Sequence, residues 1–319
     1  MSGRTEPATD AVAATAERLA VLIGAGVPPA AAWRHLAEAE AETDPGSPQR
    51  GTAGPVVAAA RAATAGEGTA AALLRGAGGL PAETQDAWAA LAAAWHVAEL
   101  AGAPPAACLR CLAGSLRELG RVQRQIAVAL AAPRATARMV MAMPVIAVLF
   151  GLALGFDTLR ILATTVPGLA CAAAAGLLML AATAWNRRLV RRASPPERAP
   201  GLSLDMLAVA MTGGVSVVRA RELTAQSLPA RLAASRAELA AADDVLGLAE
   251  RAGVPAAELL RSEAAARRSR AATEAERRAV ALSVRLMAPL GVCVLPAFML
   301  VGVVPLLLSI VSSTVAGFG

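Results

Sequence analysis

Few side chains in this sequence belong to the types that do chemistry, and two of them form a Cys-x-x-Cys motif. Cys108 and Cys111 lie in the segment CLRC, a spacing that is typical of zinc sites and of thiol–disulfide exchange. The segment lies within Ala-rich text that predicts a helix, and no second Cys-x-x-Cys supplies the remaining ligands of a zinc site. We therefore expect two ordinary cysteines of a helix here.

The other candidates for catalysis are equally isolated. His35 and His96 are the only histidines, and neither belongs to an HExxH pattern. A glycine-rich turn, AGEGT at 65–69, lacks the preceding strand and the lysine of a phosphate-binding loop. Every basic residue is an arginine, so the chemistry of a lysine amine, such as a Schiff base, is excluded. We expect no catalytic residue, no cofactor and no metal site.

The composition favours helices and an apolar environment. Hydrophobic residues make up 56% of the chain and aromatic residues only 3%, so the apolar surface is aliphatic and rich in alanine, which predicts an all-α fold. The net charge of +6 could indicate binding to nucleic acid, but the chain has no tyrosine and few other aromatic rings that could stack on bases. Anionic lipid is therefore a better counterpart than nucleic acid.

Three long stretches without a charge predict an integral membrane protein. They are 139–156, 161–185 and 286–311, and a membrane-spanning helix needs about 20 apolar residues. A buried helix of a large soluble core and an interfacial helix are the alternatives, but three such runs are unexpected in a soluble protein. Pro289, Pro296 and Pro305 predict kinks and a packed partner in the third span.

Arginines near the ends of the spans predict the orientation, because basic residues are retained on the cytoplasmic side. They cluster before the first span, after the second and before the third, whereas only Arg160 lies in the short hairpin tip. We expect a cytoplasmic N-terminus, an outer C-terminus and a location in the inner (cytoplasmic) membrane. The predicted division is a cytoplasmic domain at 1–137 with a loop near 40–55, a transmembrane hairpin at 138–186, a second cytoplasmic domain at 187–285, a span at 286–311 and an outer tail at 312–319.

One helix–turn–helix pattern occurs four times in the predicted cytoplasmic domains. The segments are VLIGAGVPPA, ELAGAPPAAC, AMTGGVSVVR and ERAGVPAAEL, which begin at residues 21, 99, 210 and 250. Each predicts a helix that ends at a left-handed glycine, followed by a proline where the next helix begins. The structural residues of these hairpin turns are Gly26, Pro28, Gly102, Pro104, Gly214, Gly253 and Pro255. Ser216 replaces the proline in the third turn, which predicts a looser turn.

Two alignments extend this pattern into a predicted duplication. RLAVLIGAGV at 18–27 aligns with MLAVAMTGGV at 206–215, and AELAGAPPA at 98–106 aligns with AERAGVPAA at 249–257. Each half thus holds the same two hairpins in the same order. A long Arg-rich helix then leads into a span, from 105–138 in the first half and from 256–285 in the second.

At this level of detail the chain resembles the type II secretion system F domain family. The resemblance rests on LAVLIGAGVPPAAAWRHLAE at 19–38 and HVAELAGAPPAACLRCLAGSLREL at 96–119, and LPAFMLVGVVPLLLS at 295–309 is similar to the last span of the Tad-pilus members TadB and TadC. It covers about residues 15–312. It implies a non-enzymatic inner-membrane platform whose partners are a cytoplasmic motor ATPase, pilin-like subunits and a second F-domain protein or a second copy.

The charged helix at 261–280 is the candidate contact with lipid or with the motor. Glu263 precedes Arg267 and Glu274 precedes Arg278 by one helical turn, pairs that also suit an ordinary solvated face. The candidate contact residues are Arg267, Arg268, Arg270, Arg277 and Arg278. Asp243 and Asp244 are expected to begin a helix. Two other functions remain open, a small oligomeric transporter or channel and a membrane-tethered regulator that binds partners.

Overall fold

A computed structural model describes residues 8–43, 53–129, 166–193, 199–285 and 290–304, together with Ala288 and a few separate residues between 131 and 150. Throughout the described residues the regular elements are helical and none is a strand, which confirms the predicted all-α class. Contacts between Cα atoms divide the chain into two units, and each is described by itself.

The first unit takes its described residues from Met1–Arg124 and Pro195–Thr273. Its first stretch forms α1 (Ala8–Gly24), α2 (Pro29–Thr43), α3 (Ala53–Ala65), α4 (Thr69–Ala77), α5 (Ala82–Ala101) and the beginning of α6 (Pro105–Ala129). The predicted loop near 40–55 is therefore helical at both of its ends, since Ala and Glu favour helices, while 44–52 lie outside the described residues.

The α3–α4 hairpin lies between α2 and α5. Helix α2 packs against α3, α3 against α4 and α4 against α5, while α1 contacts both α2 and α5. The core of this part buries the rings of Trp33 and Trp88 completely, and Trp33 meets Trp95 edge-on with ring centroids 5.4 Å apart. The glycine-rich AGEGT turn is the connection from α3 to α4, and Gly66 takes a φ of +73° there.

The second stretch of the first unit is also helical, and the last of its helices, with 30 residues, is long. Its helices are α8 (Leu202–Thr212), α9 (Val217–Ser227), α10 (Arg236–Ala252) and α11 (Ala256–Arg285), with a 3₁₀ turn at Ala230–Leu232. Ser235 caps α10 by accepting a hydrogen bond from the Glu238 amide. Asp243 and Asp244 therefore lie inside α10, and the prediction that they begin a helix is wrong.

The two stretches of the first unit pack against each other through α5, which contacts α8 and α9. They approach closely at Gly213, where a Cβ atom would lie 2.0 Å from the carbonyl oxygen of Ala101. A residue with a side chain does not fit there, so a glycine is needed at the end of α8.

The second unit contains α7 (Val166–Ala193) and the segment 290–304. Leu290–Val294 and Met299–Val303 are π-helical on either side of the short α12 (Leu295–Phe298), whose second residue is Pro296. A proline lacks the amide of a normal helical bond, and local π geometry is one way to accommodate it. This segment packs against α7, which agrees with the predicted irregularity and packed partner.

Within the described residues, the stretch Val166–Leu189 of α7 has the length and apolar composition needed to cross a membrane. It coincides with most of the predicted second span. The predicted first span at 139–156 and the end of the third, from 305 onward, lie outside the continuously described residues, as does the tail at 312–319.

Candidate functional site

The four predicted hairpin turns are turns in the structure, and each contains a left-handed glycine. The φ angles are +89° at Gly26, +83° at Gly214, +67° at Gly102 and +65° at Gly253. The angles fall into two pairs, and these are the pairs that the sequence alignments relate. Among the described residues, a positive φ occurs only at glycines.

The residue two positions after each turn glycine stands directly before the next helix. Pro28, Pro104 and Pro255 precede α2, α6 and α11 and accept hydrogen bonds from the first turn of those helices. Ser216 takes the same place before α9, and its hydroxyl accepts from the Arg219 amide as an N-cap. The serine therefore starts α9 by capping it with its side chain, whereas the prolines occupy the corresponding position in the other three turns.

Burial follows the same two alignments. Several pairs of residues that correspond under the alignment of 18 with 206, or under that of 98 with 249, are buried in both halves. Five of these pairs are Leu19 and Leu207, Ala20 and Ala208, Ala32 and Ala220, Leu109 and Leu260, and Ala113 and Ala264. Local turn geometry and core positions therefore repeat together.

A buried polar cluster lies where the two halves meet. Asp205 on α8 is 1% exposed, and its Oδ2 accepts hydrogen bonds from Arg268 Nη1 on α11 at 2.6 Å and from Ser115 Oγ on α6 at 2.7 Å. Ser115 belongs to the first half, whereas Asp205 and Arg268 belong to the second. One carboxylate thus joins three helices.

Burial raises the pKa of the Asp205 carboxyl, because the charged form is desolvated. The charge of Arg268 and the hydrogen bond from Ser115 oppose part of this shift. A buried ion pair of this kind adds little stability relative to an apolar pair, but it is costly to leave half-made, so it favours one arrangement of the three helices.

The first half carries an ion pair at the corresponding positions. Under the same alignments Glu17 corresponds to Asp205 and Arg117 corresponds to Arg268, and Glu17 is paired with Arg117 in the structure. These side chains are 45% and 50% exposed, so their pair is solvated. The acid-to-arginine link between the first and last helices of a half therefore occurs twice, once at the surface and once in the core.

The five arginines proposed as contacts with a partner or lipid divide into two groups. Arg268 is 12% exposed and is held by Asp205, and Arg267 donates to the Ala237 carbonyl at 2.7 Å and pairs with Glu263. Both side chains are thus committed to contacts inside the first unit. Arg270 is exposed although its Nη1 lies 3.5 Å from Glu263 Oε1, Arg277 is exposed, and Arg278 pairs with Glu274 as the sequence predicts.

The cysteines and histidines form no catalytic arrangement in the described part of the chain. Burial raises the pKa of both Cys108 and Cys111 to about 11, which keeps them as thiols at neutral pH. His35 contacts Glu38 on the surface of α2, and His96 is exposed on α5. No group of three or more His, Cys, Asp and Glu side chains among these residues has the geometry to hold a metal ion.

Sequence reasoning missed the residues of the buried cluster. An aspartate inside the apolar run LSLDMLAVAM was the available signal, since an unpaired charge is rarely buried. Its partners could not be read from local patterns, because Ser115 and Arg268 are distant in sequence. Compared with known proteins, the chain matches no family model, no curated protein and no solved structure.

Proposed function

We propose that this protein is a three-span, inner-membrane platform of a type IV pilus-like (Tad/Flp) assembly or type II secretion machine. In this proposal it couples a cytoplasmic motor ATPase to pilin-like subunits. Its two cytoplasmic helical domains are copies of one F-domain repeat, with the N-terminus inside and the C-terminus outside. It is not an enzyme in its own right.

The observation that carries the proposal is the coincidence of three repeated features under the same two alignments. Turn glycines, buried positions and an acid–arginine pair all recur in the two halves. Independent sequences have no reason to share all three. A duplicated pair of helical hairpins is what the resemblance to the F domain family implies, and a transporter or channel has no need of it.

The long helices support a mechanical role. Helix α11 contains Arg268 and continues to Arg285, which immediately precedes the third apolar stretch. Helix α6 contains Ser115 and is described as far as Ala129 on the way to the first apolar stretch. Since both helices bond the same buried carboxylate, a displacement applied to one is resisted by the other.

The exposed arginines are the candidate contacts with the motor or with anionic lipid. Arg270 is 72% exposed and Arg277 is exposed, and each arginine near an anionic membrane surface contributes about 1 kcal/mol. Arg267 and Arg268 are left out of this surface, because their contacts hold them within the first unit.

Affinity purification from membranes tests the proposal. A tagged full-length chain should co-purify with a secretion-type ATPase and pilin-like subunits, and reversal of Arg270 and Arg277 to glutamate should reduce recovery of the ATPase. Reversal of Arg34, which is 54% exposed on α2, is the matched control and should leave recovery unchanged. ATP hydrolysis by the purified chain alone, or a C-terminal alkaline phosphatase fusion that stays inactive because it is retained in the reducing cytoplasm, would contradict the proposal.

A further inference from the structure

An apolar cavity of about 310 Å³ lies between α8, α9 and α10 in the second half. Its walls include Leu204 and Leu207 of α8, Thr224 of α9 with Leu228 directly after it, and Leu239 and Ala242 of α10. Leu239 is 54% exposed, whereas the other five are buried. The volume is at the lower end of the range for sites that bind ligands in proteins.

The corresponding place in the first half is filled. Under the alignments used above, α8 corresponds to α1, α9 to α2 and α10 to α5. In the first half the α3–α4 hairpin lies between α2 and α5, and it contributes Val56 and Leu73 to the core. In the second half only the linker around the 3₁₀ turn Ala230–Leu232 connects α9 with α10.

The side chains at corresponding positions also differ, because the first half has large buried side chains where the second half has residues that line the cavity. The large rings of Trp33 and Trp88 and the side chain of Leu91 are fully buried in the first half. Their counterparts are Arg221, Leu239 and Ala242, all of which line the cavity. The second half therefore lacks both the hairpin and the bulky residues beneath it, while its floor of Leu204 and Leu207 is apolar.

We infer that the cavity is a docking site for a helical segment of a partner protein with an Ala/Leu face, which takes the place that α3–α4 takes in the first half. The inference rests on the internal duplication that forms part of the proposed function. A second copy cannot supply its own α3–α4 hairpin without exposing Val56 and Leu73, which are completely buried. The occupant is therefore a different chain.

The charges around the cavity indicate the character of the occupant. Arg221 is paired with Asp243 at the edge, and the Glu238 carboxylate is held in the wall by Ser203 Oγ at 2.6 Å and by the Gly201 amide. The wall and the edge thus carry one guanidinium and two carboxylates. The α3–α4 hairpin of the first half carries two arginines and one glutamate, so a partner helix with a small excess of positive charge is complementary.

The test uses a fluorescein-labelled peptide of residues 53–80, the natural occupant of the corresponding place, and the full chain in lipid nanodiscs. Nanodiscs avoid detergent, whose alkyl chains would compete for the cavity. Saturable binding is expected by fluorescence anisotropy. Filling the cavity with Thr224→Leu and Ala242→Leu, the residues at the corresponding positions of the first half, should weaken binding by about tenfold or more.

Leu248→Ala is the matched control, since Leu248 is an exposed leucine of α10 that does not line the cavity, and it should leave the affinity unchanged. The filled variant should melt no lower than the wild type, which shows that it folds. Equal binding by wild-type and filled proteins, or no saturable binding by the wild type, would overturn the inference. Binding of decanol in place of the peptide, abolished by filling, would identify a small-ligand site and also overturn it. None of these binding measurements involves the motor ATPase, so they can contradict the docking site without contradicting the platform proposal, and the reverse also holds.

Discussion

Arg268 donates a hydrogen bond to the Oδ2 atom of Asp205 at 2.6 Å, although the two residues lie on different helices and 63 positions apart. The same oxygen accepts from Ser115 in the other half of the chain. Because all three groups are buried or nearly so, the arrangement of α6, α8 and α11 is fixed by one carboxylate rather than by apolar packing alone.

Breaking this pair on one side is expected to destabilise the first unit strongly. Asp205→Leu or Arg268→Met alone leaves an unpaired buried charge or donor, which costs about 3–5 kcal/mol of the free energy of unfolding. The double variant replaces both partners with apolar groups and should recover most of that loss. Urea denaturation of the full chain in nanodiscs measures this, since Trp33, Trp88 and Trp95 report on the first unit.

Glu17→Leu provides the matched comparison, because Glu17 holds the corresponding position in the first half and its pair is solvated. Its loss should change the free energy of unfolding by less than about 1 kcal/mol. If both single substitutions cost the same small amount, the buried cluster does not fix the helix arrangement.

Stability is expected to depend on pH through Asp205. Its pKa is raised in the folded protein, so the folded state retains a proton that the unfolded state releases in the window above the ordinary value of 3.8. The contribution of this group is complete below that value and is lost as the pH rises through the raised pKa. The melting temperature of wild type relative to Asp205→Asn should therefore fall as the pH rises across this window. A difference that is independent of pH would contradict the assignment.

A methyl group at position 213 is expected to separate two helix ends. Gly213→Ala would place a Cβ atom 2.0 Å from the Ala101 carbonyl oxygen, so the backbone must move, at a cost of about 1–3 kcal/mol. Gly79→Ala is the control, since open space surrounds that glycine. Chemical denaturation of the two variants side by side measures the difference, and equal stabilities would rule out the close contact.

The turn glycines at 102 and 253 should respond alike to substitution. Their φ angles of +67° and +65° penalise a residue with a Cβ, so Gly102→Ala and Gly253→Ala should each lower the free energy of unfolding by about 1–2 kcal/mol. Neither site has an atom within 4 Å of the added methyl group, so the loss measures backbone strain alone. Costs that differ severalfold would argue against equivalent turns.

The Cys-x-x-Cys segment should be chemically inert in the folded protein. With pKa values raised to about 11, Cys108 and Cys111 remain protonated at pH 7.5 and should resist iodoacetamide, which attacks the thiolate. Mass spectrometry after a short labelling pulse should find both residues unmodified in the native chain and alkylated in urea. Rapid labelling of the native protein would indicate a functional thiol pair.

Features set by neighbouring residues could be predicted from the sequence. The four left-handed glycines, the start of α11 and the pair of Glu274 with Arg278 depend on residues within about one helical turn, and the structure has each of them. A glycine followed by a proline leaves the backbone few alternatives.

Features set by distant contacts could not be predicted. The arginines at 267 and 268 look like members of a solvated stripe, and only the position of α8 turns Arg268 inward to Asp205. Two separate cytoplasmic domains were expected, whereas the described residues of both stretches belong to one unit. The spacing of apolar residues within one helix does not predict which helix of the first half packs against which helix of the second.

The hydrogen bond from Ser115 limits how this protein can be divided into fragments. Because the hydroxyl of Ser115 in the first half donates to the carboxylate of Asp205 in the second, neither half alone contains the complete buried cluster. A fragment that stops at residue 129 would lack the acceptor, and one that begins at 199 would lack the donor. A gene split between the two halves would therefore need to supply both products to the same cell to restore this hydrogen bond.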